Sequence, residues 1–113
     1  MAQLGGNDGV VLIYATFPSR QVASDIARAL VEERLAACAN VMAAMTSVYE
    51  WQGKIETTEE VPAVFKTRGD LSEAAVARLQ SLHPYETPAI LVLPVAGGFA
   101  PFLAWVAGQT GPR

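Results

Sequence analysis

The amino-acid sequence predicts one α+β domain, a ferredoxin-like β-α-β-β-α-β sandwich with a long hairpin between its second and third strands and a C-terminal helix. Three observations predict it. Apolar stretches of strand length alternate with two amphipathic stretches of helix length, in the order strand, helix, strand, strand, helix, strand. A two-residue gap, Gln52-Gly53, joins the middle strands. The 113 residues, 51% of them hydrophobic, suit a single domain with its own core, so one domain is expected over 1–113 with an ordered part from about 9 to 108.

The stretch 9–17, GVVLIYATF, is almost continuously apolar, the pattern of a strand buried on both faces. Pro18 and Ser19 then suit the first turn of a helix, where proline wastes no amide hydrogen and a serine hydroxyl accepts from an unpaired one. Val22, Ile26, Ala29 and Leu30 recur at helical spacing opposite Arg28, Glu32 and Glu33, so a helix is expected over 19–35. From 38 to 51 the pattern is strand-like, but its phase slips at Ala43 and Ala44, where a bulge is expected. KIETTEEVPAVFKT forms the second hairpin arm. Pro62 cannot donate to a ladder, so the arm is bulged there or leaves that side unpaired. Asp70 is expected to cap a second helix, with Glu73 completing a capping box and Leu71, Ala75, Leu79 and Leu82 as its apolar stripe. His83 and Pro84 end that helix. AILVLPV is the last strand, and GGFAPFLAWVAG a short closing helix after a glycine break. The ends, MAQLGGND and GQTGPR, are glycine-rich and polar and read as frayed.

Right-handed crossovers put the first and third strands in the middle of the sheet. At ~3.3 Å per residue, hairpin arms of about fourteen residues reach ~45 Å, against ~20–25 Å for the first and last strands. The hairpin must therefore project past its own sheet and leave peptide groups unpaired, an edge that natural proteins cover. In the closing helix, Phe99, Phe102, Leu103, Trp105 and Val106 spread round most of the circumference, more apolar surface than one sheet face can cover. Both features predict a homo-oligomer.

Eight basic and eleven acidic side chains give a net charge of -3. They form no run of either sign, so neither nucleic acid nor an anionic membrane is an expected partner. No wholly apolar run, 89–93 included, comes near the ~20 residues a membrane helix needs. A lone cysteine and the lack of a leader pattern point to the cytoplasm. No catalytic residue and no organic cofactor is expected. The sequence holds no HExxH, no GxxxxGK phosphate loop and no histidine-supported cysteine or serine, and the adjacent Glu59 and Glu60 point to opposite faces of a strand.

ATFPS, LAACANV, SVYEWQGKIE, EVPAVFKT, LHPYETPAILVLPV and FLAWV follow one another from about residue 10 to 106. In this order and spacing they resemble the CutA divalent-cation tolerance family, with YEWQGKI and HPYETP the most specific pieces. The resemblance implies a ferredoxin-like subunit similar in fold to the PII signalling proteins, and a PII-like homotrimer assembled through exchanged long strands. It also implies a role in the response to metal ions, with weak binding of copper or another divalent cation. In some members copper is associated with a cysteine at the end of the first strand and a histidine pair before Pro-Tyr. Here those places hold Ala15, and Leu82 with His83, so one ligand of three is retained. Cys38 and His83 fall at opposite ends of the sheet by strand direction, and only contact between chains could bring both to one ion.

His83 is thus the metal candidate, and it also reads, ahead of that role, as a helix-terminal group stabilised by the helix dipole. Cys38, beside Ala36 and Ala37, reads as a small buried hydrophobe. Tyr85 and Glu86, held between prolines, form either a rigid corner or part of a ligand cleft. Glu60 and Lys66 share a strand face and read as an ion pair across a subunit boundary or as ligand residues. Tyr49 and Trp51, near the hairpin tip, read as clamps on a neighbouring subunit. The competing function is a PII-like module that holds a small anionic ligand in an inter-subunit cleft near Lys66, Tyr85 and Glu86. A third is a structural trimer that scaffolds other proteins.

Overall fold

In the computed structural model, which describes residues 9–112, the chain runs β1 (Val10–Phe17), α1 (Arg20–Glu32), β2 (Cys38–Val41), β3 (Met45–Trp51) and β4 (Lys54–Arg68). A 3-10 turn (Gly69–Leu71), α2 (Ser72–Leu82), β5 (Ile90–Pro94) and α3 (Ala100–Gly108) complete it. The sheet is ordered β2-β4-β1-β5, all antiparallel, and β3 continues along β4 past the end of β2. The α+β, ferredoxin-like topology expected from the element order is therefore the one adopted, with β1 and β4 central. Among the described residues no helix is long and apolar enough to cross a membrane.

Alternation along the two central strands builds the core. Val11, Ile13, Ala15 and Phe17 of β1, with Val61, Ala63 and Phe65 of β4, meet Ala23, Ile26 and Leu30 of α1 and Ala75 and Leu79 of α2. The rings of Phe17 and Phe65 stand edge to face at 6.4 Å. Burying each such large side chain contributes ~1.5–3 kcal/mol, so this one face supplies most of the fold's hydrophobic stabilisation. Ser19 Oγ accepts from the Val22 amide at 3.2 Å and starts α1 as expected. The helix ends at Glu32 rather than at 35, because Arg34 takes a left-handed φ of 62° and the Leu35 and Ala36 amides turn back to the Leu30 carbonyl. Arg78 of α2 donates to both Glu33 carboxylate oxygens at 2.8 and 2.9 Å, which ties the two helices and holds the Glu33 carboxyl below its ordinary range.

The phase slip at Ala43 and Ala44 is a β-bulge. Val41 faces Ala63 and Met45 faces Glu60, so three residues, 42–44, oppose two, 61 and 62. The Met42 amide donates to the Pro62 carbonyl at 2.9 Å, which turns the proline's donor-less nitrogen toward the bulged segment, and Arg20 donates to the Met42 carbonyl at 3.1 Å. The hairpin turn is tight, with Gln52 at φ 50° and Gly53 at φ 80°, the left-handed pair that matches strand twist.

Three expectations are corrected. First, β1 is not buried on both faces within one chain. Leu12 and Tyr14 are half-buried, and their β5 neighbours Leu93 and Leu91 are 43% and 60% exposed, because both crossover helices lie on the opposite face. Second, Asp70 does not cap α2. Arg68 captures its carboxylate at 2.9 and 3.0 Å, and Ser72 Oγ donates instead to the Gly69 carbonyl at 2.8 Å. Third, the ordered part does not stop near 108. Arg34 donates to the carbonyls of Gly108 and Gly111, the Gly111 amide donates to the Arg34 carbonyl at 2.9 Å, and Thr110 is buried with its hydroxyl on the Val106 carbonyl. The expectation of a frayed start at 1–8 lies outside the described residues.

Candidate functional site: an acidic, aromatic cleft

His83 builds the corner on which the site depends. It follows α2 directly, is 7% exposed, and stacks on Phe17 at 4.9 Å between ring centres. Its Nε2–H donates to the Thr16 carbonyl at 2.7 Å, and its Nδ1 accepts from the Tyr85 amide at 3.1 Å. One neutral tautomer satisfies both bonds and leaves neither nitrogen free. The corner aims Tyr85 at the hairpin, where its hydroxyl donates to Glu60 Oε2 over a long 3.4 Å. Burial, then the Glu60 carboxylate and the Tyr49 phenol, raises the Tyr85 hydroxyl above its ordinary pKa.

Between this corner and the hairpin lies a cleft of about 630 Å³. Tyr49 and Trp51 come from β3, Thr58 and Glu60 from β4, Thr16 from β1, and Tyr85, Glu86 and Thr87 from the connection into β5. Directly opposed residues of a hairpin share a face, so Tyr49, Glu56, Thr58 and Glu60 lie on the same side as Trp51, with Lys54 opposite Trp51 at the tip. Val48 and Ile55, 66% and 70% exposed, fall on the other side.

Of the residues singled out in the sequence, Glu60, Tyr85, Glu86, Trp51 and Tyr49 meet at this cleft. Lys66 does not. It bonds Asn40 Oδ1 and stands 5.9 Å from the centre of the Phe102 ring. Glu60 pairs with Tyr85 rather than with Lys66 inside the chain. His83 lies behind the cleft wall as a positioning residue. Thr58 and Thr16 were missed. Thr58 is two residues before Glu60 and could have been found by strand alternation, whereas Thr16 enters only through its pairing with Pro62. Cys38 is half-buried rather than buried, level with Lys66 and Leu12 and so at the other end of the sheet from His83.

The donors present in one chain do not fit a resident metal ion. Among the described residues no three His, Cys, Asp or Glu side chains converge, both His83 nitrogens are engaged, and Ala15 is fully buried in the core.

A family model described as CutA1 divalent ion tolerance protein matches residues 11–109. The chain belongs to this family. Protein CutA of Homo sapiens is 47% identical over 97 residues, 86% of this chain and 54% of the human protein. The chain thus spans about half the length of the mammalian CutA relatives it matches. The divalent-cation tolerance protein CutA of Thermus thermophilus is 45% identical over 102 residues, 90% of this chain and 97% of that protein. The crystal structure of CutA1 from Oryza sativa superposes with a TM-score of 0.90 at 31% identity, covering 95% of this chain and 98% of the other. The CutA resemblance carried by YEWQGKI and HPYETP is thereby borne out.

Proposed function

We propose that this chain is the subunit of a homotrimeric CutA-type protein that takes part in the response to divalent metal ions, is not an enzyme, and works in the cytoplasm. One observation carries the assembly. The sheet face away from α1 and α2 bears Leu12, Tyr14, Leu91 and Leu93, and α3 covers it only in part, reaching Lys66 beside Leu12 with Phe102 and leaving Leu91 and Leu93 exposed, although β1 has the sequence of a strand buried on both sides. Sister subunits supply that cover, and the hairpins supply strands for mutual pairing. A divalent ion at His83 must displace the Tyr85 amide from Nδ1, which keeps binding of copper or another divalent cation weak.

Light scattering of tag-free protein at micromolar concentration is expected to give three times the 12.0 kDa chain mass. A stable folded monomer sinks the assembly. Copper calorimetry is expected to give a weak, saturable heat that His83→Ala removes while far-UV circular dichroism stays unchanged. No heat with wild-type protein removes the metal half alone. The cleft itself favours a second reading, a PII-like small-ligand module, but Lys66 lies too far away to serve an anion there.

A further inference from the structure

The cleft beside Glu60 has a chemical character that neither copper nor an anion exploits. Three of its walls are aromatic rings left open to a ligand: Tyr49 is 43%, Trp51 61% and Tyr85 38% exposed. Apart from the aromatic residues, its polar side chains are the carboxylates of Glu60 and Glu86 and the hydroxyls of Thr16, Thr58 and Thr87. Among the described residues no lysine or arginine lines it. Lys54, the one base on the same hairpin face, is outweighed there by Glu56 and Glu60.

Such a set repels anions. It also suits a bare divalent ion poorly, since such ions need about six oxygen donors or nitrogen and sulfur ligands in their place, and ring faces offer none. A broad, weakly hydrated organic cation matches it on both counts. The ring quadrupoles attract its charge, and a carboxylate neutralises that charge through charge-assisted hydrogen bonds. The volume of about 630 Å³ is that of a small-metabolite site.

We propose that this cleft binds a small organic cation of the alkylammonium or alkylguanidinium class, its charged group seated between Glu60 and the face of Tyr85, with Tyr49 and Trp51 lining the cleft onward to the hairpin tip. The Tyr85 hydroxyl on Glu60 Oε2 holds ring and carboxylate together, and the His83 corner fixes the Tyr85 backbone. The inference does not rest on metal binding. The same charged groups occur on lysine and arginine side chains of a neighbouring protein chain, and the test separates that source from a free ligand.

The two tryptophans, Trp51 and Trp105, give two indole N–H signals in isotope-labelled full-length protein, assigned by their loss in Trp51→Phe and Trp105→Phe. Titration with n-butylammonium or ethylguanidinium chloride at fixed ionic strength is expected to shift the Trp51 signal saturably, with a Kd of about 0.1–5 mM, and to leave Trp105 in place. Sodium butyrate is expected to shift neither. Glu60→Gln weakens cation binding about tenfold, and Glu86→Gln, in an exposed connection where folding is not at stake, about threefold. Three results overturn the proposal: a butyrate response equal to that of the amine, no saturable response to either cation, or wild-type affinity in both glutamine variants. A cleft already filled by a sister chain's lysine or arginine gives the second of these, and it excludes the free ligand.

Discussion

Strand β4 lives in two environments. From Val61 to Arg68 it lies between β1 and β2, with alternate residues buried beneath the helices, whereas from Lys54 to Glu60 it pairs with β3 alone and is mostly exposed. Pairing is antiparallel in both halves, but the core half is bonded along both edges and the ribbon half along one. Neighbouring strands and the cover over the side chains together distinguish them. A two-stranded ribbon buries too little to hold itself together, so the first half depends on the second and on whatever covers it in the assembly. That dependence leaves the ribbon free to carry Tyr49, Trp51 and Glu60 as a site, while the core half keeps Ala63 and Phe65 for stability.

The largest effect expected from this contrast is in the core half. Phe65→Ala should cost about 3–5 kcal/mol in denaturant unfolding at fixed protein concentration, since it empties a fully buried ring position. A loss below about 1 kcal/mol would mean that packing does not separate the two halves. Next comes the junction. His83→Ala leaves the Thr16 carbonyl and the Tyr85 amide without partners and removes a stacked ring, so about 2–3 kcal/mol is expected in the same measurement.

Smaller still is Gly53→Ala at the hairpin tip, where φ is 80° and an added methyl meets nothing within 4 Å, so the cost is backbone strain of about 1 kcal/mol. Hydrogen exchange should quicken at β3 amides and stay unchanged in β1. Equal quickening in both would make ribbon and core one cooperative unit. The smallest change is Glu60→Gln, expected within about 0.5 kcal/mol of wild type in stability. Its signature is the titration of Tyr85. The folded phenol is held above its ordinary value by burial and then by Glu60, so its contribution to stability is present below that ordinary value and fades as pH rises through the folded one. Phenolate absorbance, read against a Tyr85→Phe control, should show Tyr85 ionising at lower pH in Glu60→Gln; no shift would show that Glu60 does not act on this hydroxyl.

Local chemistry made much of this legible from the sequence. Gln52-Gly53 is a two-residue gap whose glycine takes a left-handed φ freely, and two alanines broke the alternation where the bulge sits. The corner at 83–88 was legible because His83-Pro84 must stop a helix. Other features turned on reach. Glu60 and Lys66 do share a strand parity, but six residues at ~3.3 Å put them ~20 Å apart, so one closes a cleft that the other never approaches. Asp70 lost its capping role to a partner two residues away, Arg68, a competition that spacing rules do not weigh. The anchoring of 109–112 hangs on Arg34, a residue just past the end of α1 that no local pattern connects to them.

The spare residue at 42–44 steers the ribbon and leaves the choice of faces alone. Both β2 and β3 are zipped to the same unbroken β4, and each residue takes the side of the one it opposes: Ala39 and Val41 lie with Phe65 and Ala63 under the helices, Tyr49 and Trp51 with Glu56 and Lys54 on the opposite side. Remove one alanine, and two residues face two, so the alternation runs through unbroken and both sets keep their sides. What the extra residue supplies is a bend and added twist in its own strand. The joint thus sets the direction in which the tip leaves the sheet, and the tip can be re-equipped with new chemistry without any renegotiation with the interior.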